Sequence, residues 1–272
     1  MSQSDQLKKF DMKWLFDIAL PVMVAVLLLG AWEGAVAHWQ VPPYVLPAPS
    51  AIARAFLDNF ASLMAALAAT LTVSLEAFAA ATVLGVAAAI AFSQSKLLER
   101  TFYPYAVILQ VTPVVAIAPL ILIWVGFERI NLALVIISTM VAFFPILAGT
   151  TLGLKSADFN LIDLSRLYGA SRMQILWRIR LPTALPYLLS GMKTAGGLAL
   201  IGAVVAEFVA GSGTATGLAW RIVESGNRLE IATLFAALGL LAATGVAIFA
   251  ALSLLEWVLL RHWHESAVSH PS

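Results

Sequence analysis

Residues 158–186 read DFNLIDLSRLYGASRMQILWRIRLPTALP, a polar island between long apolar runs. Asp158, Asp163, Arg166, Arg172, Arg178 and Arg180 all fall within it. An ionised side chain at the centre of a bilayer costs roughly 3 kcal/mol even on lenient insertion scales, so a segment holding this many cannot cross one. It lies in water on one face of a membrane, and the runs on either side of it are read from that position.

The composition agrees. Of 272 residues, 61% are hydrophobic and 11% charged, which places the chain among polytopic membrane proteins, all-α, with one membrane domain. A net charge of +1, with Lys and Arg scattered between apolar runs, argues against a nucleic-acid partner and makes charge a guide to topology. The absence of cysteine excludes disulfides, thiolate nucleophiles and thiolate-held metals.

Six runs approach the roughly 20 apolar residues that span a hydrocarbon core: 14–38, 65–92, 102–127, 131–154, 187–210 and 231–260. The first follows a head with Lys8, Lys9 and Lys13. Ala35-Val36-Ala37 has the look of a signal-peptidase site, but Glu33 interrupts the apolar approach to it, so this run is expected to be a retained span. Pro42, Pro43, Pro47 and Pro49 make the next segment an extended connector, after which Ser50 is expected to cap a short interfacial helix reaching Phe60. The alanine-rich second run, with Gly85, reads as a packing helix. Pro113 and Pro119 should bend the third run, which would pair with the fourth as a hairpin, and Glu76 is expected to find a partner inside the bundle.

Six crossings put Lys8, Lys9, Lys13, Lys96, Arg100, Lys155, Arg166, Arg172, Arg178, Arg180 and Arg261 on one side and only Arg54, Arg129, Arg221 and Arg228 on the other. By the positive-inside tendency both termini and residues 158–186 are cytoplasmic. The expected organisation is a cytoplasmic head at 1–13, a transmembrane domain at 14–260 with a cytoplasmic loop at 155–185, and a cytoplasmic tail at 261–272.

Within the loop, Asp158 or Asn160 can cap a helix carrying Leu161, Leu164 and Tyr168 on one face, and Gly169 suits the left-handed position that ends it. Ser171 and Gln174 form a capping-box pattern opening a second helix, whose exposed face would hold Met173, Leu176, Trp177 and Arg180 before Pro182 stops it. Such a pair of helices is either a plain connector or a docking surface.

The spacing of Asp163-Leu164-Ser165, then Gly169 with Ala170, then Ile179, then Leu181-Pro182 resembles the EAA motif of bacterial ABC importer membrane subunits. Asp163, Leu164 and Ser165 stand where the family has Glu-Ala-Ala. PYVLPAPS at 43–50, Phe144-Pro145 and Ala206-Glu207 are similar to the nitrate, sulfonate, taurine and pyrimidine-precursor permeases. That resemblance implies a type I importer fold in a bacterial inner membrane, a second permease copy (a homodimer), two ABC ATPases and an external binding protein. It also implies that the loop moves as a rigid body when the ATPases close. The chain has no G-x-x-x-x-G-K phosphate loop, so no cofactor is expected on it, and ATP and magnesium belong on the partner ATPase. ALPYLLSGMK at 184–193 and AVVAEFV at 203–209 look closer to permeases for thiamine-pyrimidine or riboflavin uptake than to those for sulfonates.

Costly intramembrane polar groups are pathway candidates by default. Glu207 leads them, weighed against a structural hydrogen bond. Gln110 and Thr112 adjoin the Pro113 bend, and Trp124, Phe143 and Phe144 would form an aromatic constriction or ordinary packing. Lys193 is expected to snorkel to the interface. Trp220, Arg221, Glu224 and Arg228 would contact the binding protein or form a solvated face. His38, His262, His264 and His270 all sit at membrane ends or in the tail, so neither a catalytic triad nor a histidine metal centre is expected. The alternatives kept open are a sulfonate, taurine or nitrate permease, an ion-coupled carrier using Glu207 and Glu76, and a membrane scaffold.

Overall fold

The computed structural model describes residues 3–211 and 216–261. The expected tail from 262 onward, with His262, His264 and His270, lies outside them, as do Met1 and Ser2. The elements, in order, are α1 (Gln3–His38), α2 (Pro49–Asp58), α3 (Phe60–Gln94), α4 (Lys96–Val111), α5 (Val114–Val125), α6 (Ile130–Lys155), α7 (Phe159–Leu167), α8 (Arg172–Ile175), α9 (Leu181–Ala210), α10 (Leu218–Asn227) and α11 (Ile231–Leu260). A π-helical turn, Leu176–Arg180, joins α8 to α9. Among the described residues, five helices are long and apolar enough to cross a membrane, and α4 with α5 makes a sixth if that bent pair is one span.

α6 is the centre of the bundle and packs chiefly against α9 and α3. The helices flanking the loop are held together by small residues. A Cβ on Gly153 of α6 would lie 2.8 Å from the Ala184 Cα, and one on Gly191 of α9 would lie 2.7 Å from the Pro145 carbonyl oxygen. With no hydrophobic force to separate helix from lipid tail, such close backbone approach is what fixes helix pairs in a membrane. Gly85 plays the expected packing role in α3, where an added Cβ would sit 2.9 Å from Ile146 Cγ2.

Three local expectations change. The chain between α4 and α5 turns by 102° at Thr112-Pro113, whereas Pro119 sits inside α5 without breaking it. The bend is Pro113's alone, because the Thr112 hydroxyl donates to the Ile108 carbonyl at 2.6 Å and completes the end of α4. Ser50 does not cap α2: Ala48 holds that position without a side-chain bond, and Glu33 of α1 accepts from the Ser50 amide at 3.0 Å and the Ser50 hydroxyl at 2.7 Å. A carboxylate at a helix N-terminus suits both its free N–H groups and its dipole. Pro182 does not stop the second loop helix either. It has no N–H to give to Arg178, and the wider turn at Leu176–Arg180 absorbs the defect, with the Leu181 amide reaching back to the Leu176 carbonyl. The result is one uninterrupted 39-residue helix from Arg172 to Ala210.

Candidate functional site

At the loop end, Asp158 accepts from the Asn160 amide at 2.8 Å and starts α7. Its far end is a Schellman motif: Gly169 has φ of 78°, its N–H donates to the Arg166 carbonyl at 2.9 Å, and the Ala170 N–H donates to the Ser165 carbonyl at 3.0 Å. Ser171 and Gln174 then close both bonds of a capping box, 3.3 and 2.7 Å long. One helix stop and two helix starts are thus satisfied within a few residues, which gives the loop one shape.

The motif residues divide by direction. Ile179 and Ala170 pack with buried Ala157, Ile162 and Ile175, pinning α7 against the base of α9, while Leu181 packs beside Leu154, Leu176 and Ala184. Asp163 is exposed and paired with Arg166 at 3.1 Å. Ser165 donates to the Leu161 carbonyl at 2.8 Å. Facing outward are Leu161, Leu164, Leu167, Tyr168, Met173 and Trp177, with Leu167 86% and Tyr168 85% exposed. Leu164, Tyr168, Gly169 and Ile179 border a cleft of about 430 Å³. Leu176 and Arg180, expected on the outer face, turn inward: Leu176 is buried, and Arg180 donates to the Ser93 carbonyl at 3.2 Å. The wider turn rotates Arg180 off the stripe that a uniform helix would give, whereas Leu176, at its start, packs inward against Leu154 and Ala184. Leu167 was missed as a docking candidate, although an apolar side chain in a water-facing loop was its visible signal.

At the far end of the bundle Glu207 is buried, 1% exposed. It accepts from Thr70 Oγ1 at 2.7 Å and from the Ala219 amide at 3.0 Å, and Thr70 in turn accepts from the Leu218 amide at 2.8 Å. The pair caps the N-terminus of α10 from α9 and α3. A Cβ on Gly217 would collide with the Glu207 carboxylate, so glycine is required there by space. Both carboxylate oxygens are engaged in this cap, and Glu207 also borders a cavity of about 220 Å³ with Thr72, Glu76, Asn131 and Thr216.

The other candidates are not gathered into one pathway. Trp124 is exposed at the end of α5, while Phe143 and Phe144 lie about 20 Å along α6 at 1.5 Å per residue and are half-buried. Phe143 and Phe144 join the core beside Leu147 and Tyr103, and no shared constriction with Trp124 forms among the described residues. Gln110 is exposed, and Thr112 is occupied by its own helix end. On α10, Arg221 bonds Glu224 at 2.5 Å and Ser62 of α3 at 3.0 Å, and Arg228 bonds Glu224 at 2.8 Å; Trp220 is half-buried. Lys193 does not snorkel: Glu256 of α11 pairs with it at 2.7 Å, and the Phe249 ring lies 5.5 Å away. Glu76, by contrast, is exposed and forms no ion pair among the described residues.

The profile of the family described as "Binding-protein-dependent transport system inner membrane component" matches residues 81–261, a stretch that contains the whole loop. The chain belongs to this family of ABC importer permeases. The permease is 33% identical to the riboflavin transport system permease protein RibX of Chloroflexus aurantiacus, over 92% of this chain and 91% of the relative. It is 32% identical to the formylaminopyrimidine transport permease protein ThiX of Halalkalibacterium halodurans, over 92% of this chain and 98% of the relative. A solved chain described under "Crystal structure of an amino acid ABC transporter with histidines" shares the fold, with a TM-score of 0.60 and 15% identity over 76% of this chain and 96% of that one. The permease is therefore a multi-pass inner-membrane transport subunit.

Proposed function

We propose that the permease pairs with a second copy of itself and receives two separate ATPase subunits on the loop between α6 and α9. ATP and magnesium act on those ATPases, and an external binding protein delivers a small organic solute at the opposite end. The loop and both termini face the cytoplasm, as the Lys and Arg bias requires. Residues 1–13 then form a cytoplasmic head, 14–260 the transmembrane domain and 261–272 a cytoplasmic tail.

The observation that carries this reading is the exposed apolar face of α7 and α8. Leu161, Leu164, Leu167, Tyr168 and Trp177 stand in water on an otherwise charged segment, a patch that a soluble partner would cover. Ser165, Gly169, Ala170, Ile179, Leu181 and Pro182 support that face, and Asp163 adds an exposed carboxylate beside it. Copurification of an ATPase with tagged permease tests it: Leu167→Ala with Tyr168→Ala should lower the ATPase recovered while leaving the permease yield unchanged. Full ATPase recovery from the double variant would sink the docking reading. Transport by the purified permease alone would instead favour the ion-coupled carrier.

For the solute, the relatives that carry riboflavin and formylaminopyrimidine in their names favour a vitamin or vitamin precursor over a sulfonate, taurine or nitrate. Uptake of labelled riboflavin and of a formylaminopyrimidine by membranes containing the complete transporter separates the two vitamin classes, and competition by taurine tests the sulfonate alternative.

A further inference from the structure

Glu76 lies near the midpoint of α3, a helix apolar and long enough to span a membrane, and about 9 Å farther along it than Thr70 at 1.5 Å per residue. Its side chain is exposed and has no ion pair among the described residues. A carboxylate at that depth is not stable against lipid tails, so the face of α3 that carries it meets water or a polar solute. The surroundings fit that requirement. Glu76 borders the 220 Å³ cavity that also takes in Thr72, one turn nearer the far end on the same face, Asn131 at the start of α6, and Thr216. Glu207 borders the same space, but it is buried with its oxygens held by the Thr70 hydroxyl and the Ala219 amide, which leaves Glu76 as the exposed carboxylate there. Among the described residues no Lys or Arg borders the cavity, and Glu128 and Arg129 on the turn before Asn131 offset each other in sign.

We propose that this cavity is the entry vestibule of the pathway and that Glu76 makes it selective for cationic or amine-bearing solutes over anions. The assignment rests on the permease reading above and narrows its substrate class. An exposed carboxylate among hydroxyl and amide groups, in a wall of low dielectric, raises the local concentration of cations and of N–H donors and repels carboxylates and sulfonates. Thr72, Asn131 and Thr216 supply neutral donors and acceptors that orient such a solute without adding charge.

The absence of native cysteine makes the test direct, because Thr72→Cys introduces the only thiol. Thr72 bonds only its own helix, to the Ala68 carbonyl, so the change is mild. Full-length permease in membrane vesicles is treated with a cationic trimethylammonium methanethiosulfonate and with its anionic sulfonate counterpart, each rate divided by that for a free thiol. The cationic reagent should react about tenfold faster, and adding Glu76→Gln should abolish the difference. Asn131→Cys provides a second position on the opposite wall if the first variant folds poorly. Protection of the thiol from both reagents at both positions would overturn the vestibule. Equal rates, or a preference that survives Glu76→Gln, would overturn the selectivity. Thiol chemistry at residue 72 reports on the cavity whether or not an ATPase docks on the loop, so failure here and failure of the docking reading are separate results.

Discussion

α7 and α10 are helices of 9 and 10 residues at opposite ends of the same long helix, α9, and each carries charged groups. On α10 the charges are turned inward or toward one another. Arg221 reaches Ser62, Glu224 joins Arg221 and Arg228, and the helix start is fastened by Glu207 and Thr70. On α7 and the turn after it the charges lie in water, apolar residues face outward, and only Ile162 is buried within α7. Two segments of similar length thus have opposite uses: α10 is finished within the chain, and α7 leaves its best contact surface uncovered.

Five substitutions probe that contrast. Glu207→Ala should be the most damaging, because it leaves the buried Thr70 hydroxyl and the Ala219 amide around an empty site. About 2–4 kcal/mol of stability is at stake, visible as a lowered thermal unfolding temperature in detergent. Glu207→Gln, which keeps one acceptor oxygen, should lose less; equal losses would mean that size and not hydrogen bonding holds α10. At the loop, Gly169→Val forces a β-branched residue into the left-handed region, for about 1–2 kcal/mol by the same measurement. Its larger effect should appear in ATPase recovery and uptake, and normal recovery of both would break the proposed link between loop shape and docking. Leu167→Ala should change stability by less than about 0.5 kcal/mol, as expected for an exposed side chain, while lowering ATPase recovery. Asp163→Asn, which removes one half of an exposed i,i+3 pair, should shift unfolding least of all, by about 0–0.5 kcal/mol. A larger shift would show that Asp163 has a partner beyond Arg166.

The sequence was informative where the chemistry is local. Asp158, Gly169, Ser171 and Gln174 act within a few residues of themselves, and each sits where its type and spacing place it. The six apolar runs and the loop between α6 and α9 follow from hydropathy alone. What could not be read are pairings set by tertiary packing. Glu33 meets Ser50 across 17 residues, Lys193 meets Glu256 across 63, and Thr70 meets Glu207 across 137. No periodicity encodes which of several polar residues on one helix faces another helix. Pro182 failed for a different reason: the rule that proline stops a helix is sound for an α-helix, and the π-turn before it changes which carbonyl needs a donor. Arg180 is turned inward by the same wider turn, and Leu176 by its packing against Leu154 and Ala184.

That turn carries the loop into the membrane within one helix. The helix from Arg172 to Ala210 is 39 residues long, about 58 Å at 1.5 Å per residue. Treated as a stiff rod pivoting at its centre, a tilt of about 5° displaces each end by ~2.5 Å in opposite directions. A movement of that size at the loop is comparable to the 2.7–3.0 Å hydrogen bonds by which Glu207 holds the start of α10. A push at one face of the membrane therefore arrives at the other as a strained or broken cap, with no relay of intervening side chains needed to carry it.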